Sequence, residues 1–217
     1  MTAGGRVPKF EVTFRHQQIA ELNLPTGDLV ACDPFCLYTP VAFVPRVEPG
    51  RYPVSVAVAE YESKDERVAL AILRLAEYQP VRWEMATSAT HGPNFNIFAP
   101  HGIYKYSVDY ACGSFMDLKT AQVLAMLMNE KEPDLTDPSC DLMNGWLNRI
   151  NELMARTYVN TWSWANVDVE TKEELNMVVF SSGIGDGAYT SYWGYDAHER
   201  LACLVLQRLA CCSSTII

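Results

Sequence analysis

The sequence predicts an α+β fold: one β-rich unit of mostly antiparallel strands with two principal helices. Two observations lead to this class. Short segments with apolar residues at every second position occupy both ends of the chain, as in half-buried strands, and two longer segments with apolar residues at helical spacing lie between them. No internal repeat, long linker or change of composition divides the 217 residues. We therefore expect a single domain spanning residues 1–217, with short flexible ends.

The first half of the chain predicts strands. Gln18–Asp33 is interpreted as a hairpin, because Pro25–Asp28 supplies turn-forming residues between two apolar runs. Arg51–Tyr61 is the next strand, with three valines on one face. Arg67–Tyr78 fits both a helix and a strand, and the surrounding strands favour a strand. Shorter strands are predicted at Val81–Met85 and Tyr104–Tyr110, separated by a loop from Thr87 to Pro100.

The second half predicts two helices and then strands. The first helix is Asp117–Met128, where the Asp117 carboxylate is placed to accept unpaired N–H groups of the first turn. The second is Pro138–Arg156, with Asp137 as its cap and proline in its first turn. The remaining elements are a strand at Leu175–Phe180, a glycine turn at Ser181–Gly187, an aromatic strand at Tyr189–Tyr195 and an apolar run at Leu201–Leu209.

Charge and composition exclude several classes of protein. The chain has 17 Lys and Arg against 26 Asp and Glu, a net charge of −9, so nucleic acid is not an expected partner. No apolar run approaches the roughly 20 residues that span a bilayer, and no secretory signal is visible, so we expect a cytoplasmic protein without a membrane partner. The seven cysteines are irregularly spaced and are expected to be reduced, with no metal and no cofactor.

The glycine cluster in Ser181–Tyr189 is the most conspicuous local motif. It lacks the Lys-Ser/Thr pair of a phosphate-binding loop, and a strand rather than a helix follows it. We interpret it as a tight turn between strands, in which Asp186 bonds its own backbone and Gly185 and Gly187 adopt positive φ. A loop that binds a cation or another ligand is the alternative.

Two sets of residues are candidate sites. The first combines acidic and aromatic side chains that are close in sequence, and Trp193 with Tyr195 is its predicted anchor; burial of Trp193 in the core is the alternative. The second could hold a divalent cation or act as an acid/base pair if its carboxylates converge, while capping of backbone groups is the structural alternative. The first set is Asp186, Trp193, Tyr195, Asp196 and Glu199; the second is Glu84, Asp109, Asp117 and Asp186.

Five segments in this order are specific in combination: Leu24–Gly27 with Ala31–Pro34, Pro49–Val54, Arg82–Ala86, Val108–Asp117 and Ser182–Tyr189. Together they resemble the DUF4241 family, a bacterial domain of unknown function, from about Leu24 to Leu206. Two positions depart from the family pattern: Ala111 stands where glycine is expected, and Thr190 where proline is expected. The resemblance implies a bacterial, cytosolic, soluble protein and no particular reaction.

These observations lead to two hypotheses of function. The first is a non-catalytic binding protein of the immunity type, which neutralises a basic toxin through an acidic and aromatic surface. The alternative is a hydrolase that uses clustered carboxylates, with or without a divalent cation. A pocket in which Glu84, Asp109 and Asp186 converge would favour the hydrolase, and a flat acidic face would favour binding.

Overall fold

The structure, a computed structural model, describes residues 12–37, 39–88, 106–129 and 142–208. The predicted Asp137 cap, the proline that follows it and most of the predicted loop after Thr87 lie outside these residues. The strands are β1 (Val12–Leu24), β2 (Leu29–Cys32), β3 (Phe43–Val44), β4 (Gly50–Tyr61), β5 (Glu66–Arg74), β6 (Arg82–Met85), β7 (Thr87–Ser88), β8 (Tyr106–Val108), β9 (Cys112–Asp117), β10 (Trp164–Glu170), β11 (Leu175–Ser181), β12 (Gly187–Tyr195) and β13 (Leu201–Arg208). The helices are α1 (Leu118–Asn129) and α2 (Leu142–Ala155).

The strands form a large and a small antiparallel sheet. The large sheet has the order β1-β4-β5-β13-β12-β6, and β8 pairs with the start of β12 while β6 pairs with its end. The small sheet has the order β10-β11-β9-β2, and β3 pairs with β7. The predicted α+β class is therefore confirmed. In the large sheet β13, the last described strand, is central and joins β5 to β12.

The sheets and helices stack in three layers. Between the two sheets lies an apolar core that includes the fully buried valines of β4 and the rings of Phe115 and Phe180, whose centroids are 5.2 Å apart. The opposite face of the small sheet carries α1 and α2, whose buried side chains include Leu124, Ile150 and Met154. The apolar stripes of both helices thus face a sheet, as the helical spacing predicts.

The connection between β9 and α1 confirms the predicted cap. Asp117 is the last residue of β9, and its Oδ1 accepts the backbone N–H of Lys119 in the first turn, at 2.8 Å. The same carboxylate also accepts the backbone N–H of Thr26, at 2.9 Å, and its hydroxyl. One buried carboxylate therefore begins a helix and fixes the chain between β1 and β2.

The predicted hairpin at Gln18–Asp33 is wrong. β1 pairs with β4 in the large sheet, whereas β2 pairs with β9 in the small sheet. Between them Gly27 has a φ of +76° and lies against the carbonyl of Val47, where a Cβ would come within 2.0 Å of the oxygen. Turn-forming residues mark a change of direction, but here the change carries the chain from one sheet to the other.

A side-chain amide joins the two sheets at the edge of β1. Asn176 of β11 accepts the backbone N–H of Asn23 at 2.9 Å and donates to the carbonyl of Glu21 at 2.9 Å. The amide thereby bonds the backbone of β1 as a neighbouring strand would.

The sequence predicts no strand at β10, the partner of β11 in the small sheet.

Among the described residues no helix is long and apolar enough to cross a membrane.

Candidate functional site

The structure divides the predicted acidic and aromatic set. Asp186 precedes β12 and Tyr195 ends it, and at about 3.3 Å per residue this strand separates its two ends by roughly 26 Å. Asp186, which is exposed, accepts the backbone N–H of Ala111 with its Oδ1 at 3.0 Å. It therefore belongs to a different region from the other four residues.

Trp193 is a core residue. Its exposed fraction is 1%, its ring meets Phe43 edge-on at a centroid distance of 6.4 Å, and its Nε1 donates to the carbonyl of Val44 at 2.7 Å. The short β3–β7 pair covers this end of the large sheet. The prediction that Trp193 anchors a partner is therefore wrong, and the alternative that Trp193 lies in the core is correct. The sequence did not show this, because the alternation of a strand does not tell which of its faces another segment covers.

Asp196 is committed to the turn between β12 and β13. Its carboxylate accepts the backbone N–H groups of His198 and Arg200, each at 2.9 Å, and is 2.7 Å from the Arg200 guanidinium. Burial opposes its ionisation, but these donors outweigh burial and hold the pKa of Asp196 at about 2. The side chain stabilises the turn and is not free to meet a partner.

Exposed side chains around Tyr195 form a mixed aromatic and charged surface, which we call the Tyr195 surface. The Arg82 guanidinium lies 4.2 Å from the Tyr195 ring centroid and pairs with Glu84, at 3.0 Å, and with Glu199. These two ion pairs raise the pKa of Arg82. The surface consists of Tyr78, Val81, Arg82, Glu84, Tyr195, Glu199 and Arg200, and the Arg200 guanidinium lies 3.6 Å from the Tyr78 ring centroid.

The second predicted set does not converge either. Asp109 and Asp186 both lie at the loop 109–111, but Asp117 is at the far end of β9, roughly 16 Å away at the rise of a strand, and Glu84 is on β6 of the large sheet. Within the described ranges no group of three or more His, Cys, Asp or Glu side chains could hold a metal ion. Asp117 and Asp186 instead accept backbone N–H groups, which is the structural alternative given for this set.

The Asp33 carboxylate organises the loop 109–111. It is fully buried, and its carboxylate accepts the backbone N–H groups of Phe35, Asp109 and Tyr110 at 2.8–2.9 Å. Burial raises its pKa, against the effect of these donors. Its place directly after an apolar strand and before a proline is a sequence signal for such a turn.

The thiols near Asp33 are poor nucleophiles. Burial raises the pKa of Cys32, Cys36 and Cys112 to about 12, and the Asp33 carboxylate acts in the same direction on all three. Cys36, which is half-buried, donates to Oδ2 of Asp109 at 3.5 Å. The reactive form of cysteine is the thiolate, and at neutral pH these three side chains remain protonated thiols. We therefore interpret them as packing residues.

The glycine turn connects the two sheets. The predicted turn between strands is present, since residues 182–186 join β11 of the small sheet to β12 of the large one. The prediction that Asp186 bonds its own backbone is wrong, because Asp186 accepts the backbone N–H of Ala111. The positive φ predicted for Gly185 and Gly187 is confirmed, at +79° and +151°. Gly183 also has a positive φ, +88°, and the Tyr189 hydroxyl donates to carbonyls within the turn.

The fold defines a protein of two antiparallel sheets and a helical layer, with aspartates that bind backbone groups at the connections. The family model for Protein of unknown function (DUF4241) matches residues 22–206. The chain belongs to this family, which confirms the resemblance seen in its motifs. No curated protein and no solved structure matches it.

Proposed function

We propose that this protein is a non-catalytic binding protein of the immunity type, which neutralises a basic protein toxin. The observation that carries the proposal is the Tyr195 surface, where arginines stack on the exposed Tyr78 and the half-buried Tyr195. Tyrosine and arginine are the residue types, with tryptophan, that most often supply the binding energy of protein interfaces.

The surface is held in place before a partner arrives. Arg82 is fixed by a ring on one side and by Glu84 and Glu199 at its ends, although its side chain is 42% exposed. Long side chains that are already ordered lose less conformational entropy on binding. The aliphatic side chain of Val81, 66% exposed, adds apolar area next to Tyr195.

Charge supports a basic partner. The whole chain carries a net charge of −9, and the two arginines of the Tyr195 surface are already paired, with Glu84, Glu199 and the buried Asp196. The negative electrostatic field of the whole chain raises the association rate of a positively charged partner protein.

The carboxylates do not favour the hydrolase alternative. Asp117 is occupied by groups of Thr26 and Lys119, and Asp186 binds the backbone of Ala111. A general acid or base must come within hydrogen-bond distance of a substrate. A carboxylate whose oxygens already accept backbone N–H groups is less able to exchange a proton with a substrate.

The experiment is capture of a partner from the native host with the wild-type protein, followed by affinity measurement with variants. We expect Tyr195→Ala to weaken binding roughly thirtyfold, a loss of about 2 kcal/mol, and Glu199→Lys to slow association of a basic partner. Matched controls are Tyr158→Ala and Glu173→Lys, since Tyr158 is 61% exposed and Glu173 also pairs with a cation, Lys119. Wild-type affinity in both test variants, with unchanged melting temperatures, would contradict the proposal.

A further inference from the structure

The glycine turn fills a gap in the large sheet. β13 pairs with β5 only from Ala71 onward, which leaves the first half of β5 without β13 beside it. Gly183 lies against this part of β5, so close to the Val68 carbonyl that a Cβ would come within 2.1 Å of its oxygen. The turn thereby lies directly beside this part of β5.

A cavity of about 410 Å³ opens beside this turn. Its walls are mainly apolar and include Phe14, Tyr61, Ala69 and Ile184. Phe14 is 57% and Ile184 64% exposed, so two large apolar side chains meet water at its rim. Pockets of this size and lining are typical of small-molecule sites, which combine apolar walls with a few polar groups.

One cation faces the cavity. Among the described lining residues Arg67 is the only charged one. Its Nε donates to Oδ2 of Asp65 at 2.9 Å and one terminal nitrogen lies 3.4 Å from the carbonyl of Gly183, contacts that orient the guanidinium. A guanidinium has five N–H donors, so donors remain for an anionic group that enters the cavity.

We propose that this cavity binds a small apolar carboxylic acid. The hydrocarbon part lies against Phe14, Ala69 and Ile184, and the carboxylate meets Arg67. The cavity shares no residue with the Tyr195 surface, so this inference goes beyond the proposed function and stands or fails independently of it.

The test is an isothermal calorimetric titration of the wild-type protein with decanoate, at decanoate concentrations below micelle formation. We expect saturable binding of one decanoate per chain, and weaker binding of 1-decanol, which has the same chain without the charge. Arg67→Gln should weaken decanoate binding at least tenfold and leave decanol binding unchanged, because charged hydrogen bonds are lost. Arg51→Gln is the matched control, since Arg51 is also half exposed and ion-paired, to Glu174, but outside the cavity.

A second variant guards against misfolding of Arg67→Gln, which also loses its pair with Asp65. Ala69→Phe should fill the cavity and abolish decanoate binding while the protein stays folded. Absence of saturable decanoate binding to the wild type, or full binding by Ala69→Phe, would overturn the proposal. Equal affinity for decanol and decanoate would overturn the assignment of a carboxylate.

Discussion

The indole N–H of Trp193 donates a hydrogen bond to the carbonyl oxygen of Val44, at 2.7 Å. This bond joins β12 of the large sheet to the two-residue strand β3, and Phe43 packs edge-on against the same ring. A side chain that the sequence presents as a candidate anchor for a partner is therefore used to hold the protein itself together.

Trp193→Ala should lower the free energy of unfolding by about 4 kcal/mol, because it removes a fully buried ring and leaves a cavity. Chemical denaturation monitored by circular dichroism measures this. Tyr195→Ala, at a partly exposed neighbouring position, is the comparison and should cost clearly less. A small loss in Trp193→Ala, no larger than that in Tyr195→Ala, would contradict the core position of Trp193.

Gly183→Ala should destabilise the protein by more than about 2 kcal/mol. The left-handed backbone alone costs an alanine about 1–2 kcal/mol, and here the Cβ would also meet the Val68 carbonyl. Gly185→Ala, with a φ of +79° and open space around it, should show the backbone cost alone. Gly145→Ala, on α2 with nothing within 4 Å, should instead stabilise by about 0.5–1 kcal/mol. Equal thermal melting curves for the Gly183 and Gly185 variants would refute the contact.

Ala111→Gly should stabilise the protein by about 0.5–1 kcal/mol. Ala111 has a φ of +53°, a conformation that glycine adopts without strain. The gain is partly offset by the greater freedom of glycine in the unfolded chain. Ala197→Gly, at an exposed turn position outside the positive-φ residues, should destabilise, and differential scanning calorimetry of both variants decides the sign.

Asp196 should make stability depend on pH in acid. Its pKa is held at about 2 in the folded protein, below its usual 3.8, so its contribution is present above pH 4 and is lost as the pH falls toward 2. The difference in unfolding free energy between wild type and Asp196→Asn should thus be constant from pH 5 to 7 and shrink below pH 4. A difference that does not change between pH 5 and 2 would exclude the depressed pKa.

The cysteines near Asp33 should react slowly in the native state. With pKa values of about 12, Cys32, Cys36 and Cys112 hold almost no thiolate at pH 8. Mass spectrometry after brief alkylation should find these three thiols unmodified, and all seven cysteines should react once the unoxidised protein is denatured. Rapid alkylation of Cys36 in the folded protein would contradict this.

Local sequence patterns predicted much of the secondary structure. Alternating valines identify β4, and the apolar stripe with its Asp117 cap identifies α1, because both depend on residues a few positions apart. For Arg67–Tyr78, where two periods fit, the neighbouring strands correctly indicated β5.

The assembly of the sheets and the sites could not be predicted in this way. The turn at Pro25–Asp28 lies against Val47, about 20 residues later, and it sends β1 and β2 into different sheets. The residue that Asp186 bonds, Ala111, is 75 residues away in the sequence. Burial of Trp193 depends on Phe43 and Val44. Such long-range contacts carry no signal in the local pattern of either segment.

The central place of β13 also sets an order on folding during synthesis. β1, β4 and β5 can pair once residue 74 has left the ribosome, but β12, β6 and β8 have no strand pairing with them until β13 follows. A chain that stops before residue 201 would hold two sheet fragments that no strand pairing joins, with apolar side chains of β5 and β12 exposed. The nascent protein is therefore most open to aggregation and to chaperone binding just before its last described strand emerges.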